Sequence, residues 1–83
     1  MKASVDISMY PLDPEFGTSI LQFIGRLKKH PGLHFLTNTM STQIFGEYDD
    51  IMAALTQEMK TSFEEDKAIV VVLKMANLDL RPE

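Results

Sequence analysis

Apolar and polar residues alternate from Ala3 to Tyr10: Val5, Ile7 and Met9 point one way, Ser4, Asp6, Ser8 and Tyr10 the other. A period of two is that of a strand with one buried face. Pro11 and Pro14 end it, because proline cannot donate to a ladder and restricts its predecessor, so Pro11 to Gly17 reads as a loop. The period then lengthens. Ile20, Phe23, Ile24 and Leu27 recur at spacings of three and four, the stripe of a helix lying on a core. Thr18 or Ser19 is positioned to cap this helix, and Gly25 marks a close approach to the sheet. Arg26, Lys28 and Lys29 fall in its last turns, where positive charge suits the dipole, and His30-Pro31-Gly32 stops it.

Leu33 to Gly46 reads as two short strands folding back on each other. With the turn at Thr39-Met40, Asn38 stands opposite Ser41, Thr37 opposite Thr42, Leu36 opposite Gln43 and Phe35 opposite Ile44. Cross-strand partners share a face and faces alternate along a strand. Leu33, Phe35, Thr37, Thr42, Ile44 and Gly46 then form a core face. His34, Leu36, Asn38, Ser41, Gln43 and Phe45 form a mixed face, the better place to look for function. Asp49 is the expected cap of a second helix carrying Met52, Leu55, Met59 and Phe63. Its acidic end, Glu64-Glu65-Asp66, opposes the dipole and is expected to fray. Ala68 to Met75 is a strand by its β-branched run, and residues 76–83 form a polar tail of the one domain, 1–83.

The order βαββαβ, with right-handed crossovers and one hydrophobic layer, leads to an α+β, ferredoxin-like arrangement. That is a four-stranded antiparallel sheet with two helices on one face and strand order 4-1-3-2. The last strand then lies on an edge, although both of its faces are apolar: Ile69, Val71 and Leu73 on one, Ala68, Val70 and Val72 on the other. Such an edge invites pairing, so a second subunit is expected to cover it or the open sheet face. The competing reading has the tail shield it.

Composition narrows the function. A net charge of −4 and 83 residues without cysteine argue against nucleic acid and against an anionic membrane surface. They leave no thiolate metal site and favour a cationic ligand. No apolar run suggests a signal peptide or a membrane span, and a cytoplasmic location is expected. His30 and His34 are separated by Pro31-Gly32 and cannot share a helical face; neither a metal nor a cofactor is expected. Glu47, Asp49 and Asp50 lack the spacing of a calcium loop. No nucleotide-binding or catalytic signature is present, and Phe45 alone does not make an RNA-binding face.

What remains is the open sheet face. Asp6 offers charge and paired acceptors; Ser8, Asn38 and Gln43 offer donors and acceptors suited to a heterocycle's edge. Ser41 extends this surface, Phe45 and Leu36 give it an apolar floor, and Tyr10 a wall, a composition typical of small-ligand sites. A solvated face or subunit contact is the competing reading.

Across nearly its whole length the chain resembles the YkoF-like, MTH1187-type thiamine-binding proteins. The likeness is carried by Asp6-Ile-Ser-Met-Tyr-Pro-Leu12, Gly32-Leu33, Thr39-Met-Ser-Thr42 with Gly46-Glu47, and Tyr48-Asp-Asp-Ile51. It implies ferredoxin-like domains that associate as homodimers or homotetramers and bind thiamine, or its hydroxymethylpyrimidine part, without turnover. Ser8 and Thr42 match family positions, and Asp6 stands where an acid is common. Thr39 replaces a frequent proline, and Leu36 and Phe45 replace more polar residues. The alternative is an ACT-like oligomeric regulatory module with its sheet face or edge between subunits.

Overall fold

A computed structural model of the chain describes residues 1–12, 16–65 and 68–82. The elements follow in the order β1 (Lys2–Pro11), α1 (Phe16–Leu27), β2 (His34–Thr37), β3 (Thr42–Glu47), α2 (Tyr48–Glu65) and β4 (Ile69–Ala76). The sheet order is β2-β3-β1-β4, antiparallel throughout. This is the α+β, ferredoxin-like arrangement. None of the described helices is long and apolar enough to cross a membrane.

The alternation along β1 sorts its side chains as the pattern requires. Ala3, Val5, Ile7 and Met9 are buried together with Ile44 of β3, Phe23 and Leu27 of α1, and Ile51, Ala54 and Leu55 of α2. The register of β2 on β3 is that set by a turn at Thr39-Met40: Phe35 faces Ile44, Leu36 faces Gln43 and Thr37 faces Thr42.

Several local expectations are corrected. Helix α1 begins at Phe16, so Thr18 and Ser19 lie in its first turn instead of capping it. Residues 13–15 of the expected loop fall outside the described residues. Lys28 and Lys29 lie beyond the helix, in a tightening turn where Lys29 and His30 N–H donate to the carbonyls of Arg26 and Leu27. Gly25 is exposed, and a Cβ there would touch nothing within 4 Å. The close approach is at Gly46, where a Cβ would meet Leu33 Cδ2 at 2.8 Å and the Gly32 carbonyl at 3.3 Å. Helix α2 starts at Tyr48, whose N–H donates to the Met1 carbonyl at 2.8 Å, which places Asp49 in the first turn. It stays helical through Glu65; Asp66 is outside the described residues.

The buried face of α2 is rotated from the apolar stripe. Ile51, Ala54, Leu55, Glu58 and Ser62 face inward, while Phe63 is half exposed. Charge from α1 explains the rotation. Arg26 Nε donates to Glu58 Oε1 at 2.8 Å, and its Nη2 donates to the Glu58 carbonyl and to Ser62 Oγ. His30 Nε2 lies 2.7 Å from the other Glu58 oxygen, and Arg26 Nη1 lies 3.9 Å from Glu65. The acidic end of α2 thus meets a base from α1.

Burial works to raise the Glu58 pKa, but the hydrogen bonds and charges of His30 and Arg26 outweigh it and hold the carboxyl below its ordinary value. A depressed folded-state pKa stabilises above the unfolded value and is lost as pH falls through the folded one. Stability is therefore expected to decline as pH drops below the ordinary 4.5. Urea titrations should show Glu58→Gln to be about 1.5–3 kcal/mol less stable at neutral pH, with a shallower loss towards acid. Equal slopes in both proteins between about pH 5 and pH 3 would assign the acid sensitivity to other groups.

The helices cover only part of β4: Ile69 and Val71 pack against the core. Leu73 and Met75 on its helix side are 40% and 44% exposed, and Val70 and Val72 on its open side 47% and 49%.

Candidate ligand-binding site

The strands differ in length, and the difference opens a cleft. Pairing between β1 and β3 stops at Ile7 opposite Thr42. Beyond it β1 runs on to Pro11, paired along its backbone with β4, where Met9 faces Val71 and Tyr10 faces Val70. Between this projecting half of β1, helix α1 and the tip of the β2–β3 hairpin lies a cleft of about 440 Å³. Its lining includes the apolar Ile20, Phe23 and Ile24 of α1 and the polar residues Ser8, Tyr10, Asn38, Thr39, Ser41 and Thr42.

The hairpin tip is held by its own side chains. Asn38 N–H donates to the Ser41 carbonyl at 3.0 Å, and Asn38 Oδ1 accepts from the N–H groups of Met40 (2.8 Å) and Ser41 (2.9 Å). Asparagine is suited to this because its short side chain can close a turn with backbone two residues on. Ser41 Oγ donates to Asp6 Oδ1 at 2.6 Å, and Ser8 Oγ approaches the Met40 carbonyl at 3.4 Å. The tip is thus fastened to β1 at two points. Thr42 is buried at the foot of the cleft, and Tyr10 is 53% exposed at its mouth.

Asp6, Ser8 and Gln43 share the open face: Asp6 is paired with Gln43 in register, and Ser8 is two residues along the same strand. They do not line the same cleft. Asp6, Gln43 and Phe45 border a second one, of about 340 Å³, together with Ser4, Lys74 and Leu80. Asp6 reaches the first cleft through Ser41, and its other oxygen lies 3.6 Å from Lys74 Nζ. Leu36, 37% exposed, lines neither.

Phe45 is only 5% exposed. Its ring sits 6.0 Å from that of His34, and the chain after β4 folds back beside it. Ser4 Oγ donates to the Leu78 carbonyl and accepts from the Leu80 N–H, both at 2.8 Å. The tail therefore crosses the open face over Ser4, leaving Val70 and Val72 of β4 exposed. Residue types gave no warning of this, because the tail contributes backbone groups to the contact. The apolar lining from α1 and the exposed Met40 of the tip were likewise not singled out beforehand. Helix-stripe residues read as core, and only the end of the sheet shows that Ile20 and Ile24 also border a cavity.

The molecule is a ferredoxin-like domain with a small, largely apolar cleft lined in part by hydroxyl- and amide-bearing residues. The sequence profile of the thiamine-binding protein family matches residues 5–81, and the chain belongs to that family. Solved structures of similar fold include protein SP2199 from Streptococcus pneumoniae, 22% identical with a TM-score of 0.87 over 96% of this chain and 90% of that one. Protein MJ1052 from Methanocaldococcus jannaschii is 24% identical, with a TM-score of 0.81 over 98% and 84%. TM0486 from Thermotoga maritima, named as a candidate thiamine biosynthesis/salvage protein, is 19% identical, with a TM-score of 0.80 over 98% and 85%. At these identities the likeness establishes the fold. No protein of curated function matches the chain by sequence.

Removing the hydroxyl of Ser4 leaves the Leu80 N–H without its acceptor. In Ser4→Ala, hydrogen exchange at Leu80 is expected to accelerate by about tenfold, the equivalent of one lost hydrogen bond of roughly 1.4 kcal/mol, while amides of β1 keep their protection. Unchanged exchange at Leu80 would show that the tail is held by its apolar contacts alone.

Proposed function

We propose that the first cleft binds thiamine or its hydroxymethylpyrimidine part without turning it over, so that the protein acts as a carrier, buffer or sensor. The observation that carries this reading is the convergence of Ser8, Tyr10, Asn38, Ser41 and Thr42, from three segments of a thiamine-binding family member, on one cleft. Its volume of about 440 Å³ falls within the roughly 300–1,000 Å³ of small-ligand sites. Asn38 commits its oxygen to the turn and presents its amide nitrogen to the aminopyrimidine edge. The hydroxyls of Ser8 and Thr42 complete the polar contacts, and Tyr10 packs against a ring. Asp6 acts from behind Ser41, placing negative charge near a cationic ligand. Gln43, Phe45 and Leu36 support the strands from the open face.

Titration calorimetry with thiamine and with hydroxymethylpyrimidine is expected to show saturable binding at one site per chain. Asp6→Ala should weaken it by about 1.5–3 kcal/mol, the range for a hydrogen bond to a charged group. Unaltered affinity would remove Asp6 from the site. Heat from free amino acids in place of thiamine would favour the ACT-like regulatory reading.

The bare edge of β4 supports self-association as a homodimer or homotetramer. A strand with one open edge and apolar side chains exposed on both faces is a template for another strand, and Val70, Val72, Leu73 and Met75 present one here. Light scattering should then report a multiple of 9.4 kDa, and Val72→Lys should shift the mass towards one chain. A wild-type protein at 9.4 kDa at working concentration would rule the association out.

A further inference from the structure

Several polar groups at the hairpin tip are already committed. The N–H groups of Met40 and Ser41, the backbone donors best placed to cradle an anion, are both taken by Asn38 Oδ1. The Ser41 proton is given to Asp6, so the hydroxyl turns its lone pairs, not its hydrogen, to a ligand. The Met40 carbonyl lies beside Ser8 Oγ. Among the described residues that line this cleft there is no lysine, arginine or histidine, and the charge bonded directly to the lining is the Asp6 carboxylate. The whole chain carries −4.

We infer that this cleft selects the unphosphorylated form of its ligand and rejects phosphate esters of the same heterocycle by charge. The inference rests on the reading of the cleft as the thiamine site. A phosphate is recognised by charge-assisted donors, backbone N–H groups or bases. Here it meets lone pairs, committed backbone amides and a nearby carboxylate, and the side-chain donors left to it, such as the Asn38 amide, are neutral. An alcohol or an amino group meets acceptors it can use. The protein therefore handles the free vitamin or its free pyrimidine alcohol, before a kinase acts on it or after a phosphatase has.

The test is calorimetry on the intact chain with thiamine, thiamine monophosphate and thiamine diphosphate. Dissociation constants are expected to rise by about tenfold or more from thiamine to the monophosphate, as juxtaposed like charges require. Added salt should narrow the gap by screening. Thr39→Lys, a base placed at the exposed tip of the hairpin, should narrow it too. A monophosphate that binds as tightly as thiamine overturns the inference. So does a gap that neither salt nor Thr39→Lys alters, since shape would then set it. Absence of binding by all three compounds refutes the thiamine reading itself, and this inference with it.

Discussion

The side chain of Asn38 decides where the central ladder stops. By accepting two N–H groups across Thr39-Met40 it closes the hairpin in a two-residue turn, and β3 can then begin no earlier than Thr42. Since β1 continues to Pro11, four of its residues project past their neighbour on that side, from Ser8 to Pro11. A longer β3 would have paired with them and filled the gap. Cavity and turn are two views of one constraint. The hydrogen bond from Ser41 to Asp6 then keeps the tip from swinging over the opening. Dispersion between Phe23 and its neighbours gives the floor, but the polar turn gives the shape.

What the sequence made legible was periodic. Alternation in β1 identified Val5, Ile7 and Met9 as core and Asp6 and Ser8 as the opposite face; the position of one turn carried the register of β2 on β3. Both depend on local geometry that repeats every residue or two. What stayed hidden depended on distant partners. Glu58 turns inward because Arg26 arrives from α1 and His30 from the turn after it, and nothing near residue 58 announces them. Phe45 looked available for stacking because it alternates onto the open face, yet it is buried beside the His34 ring and next to Ser4, to which the tail is fastened through backbone groups of Leu78 and Leu80. Gly25 and Gly46 show the same limit. A glycine reads the same in either place, and only the distance from Gly46 to Leu33 tells which one has no room for a side chain.

The division of the predicted residues between two clefts has a physical meaning. Alternation assigns a side chain to a face but says nothing of its position along the strand relative to the end of the ladder. Asp6 lies inside the paired region and Ser8 beyond it, so they serve different spaces although both point away from the helices. Asp6 is the hinge between them, bonded to the hairpin on one side and close to Lys74 on the other. Such a surface ion pair contributes little energy on its own. It does orient the carboxylate, and through it the hydroxyl of Ser41.

The placement of Tyr10 also gives the molecule an optical reporter. The chain has no tryptophan and two tyrosines. Tyr48 is partly buried against the core at the start of α2, whereas Tyr10 stands at the mouth of the first cleft. Native ultraviolet emission therefore comes from one phenol packed against the core and one at the entrance, and occupancy of the entrance alters the second without a label.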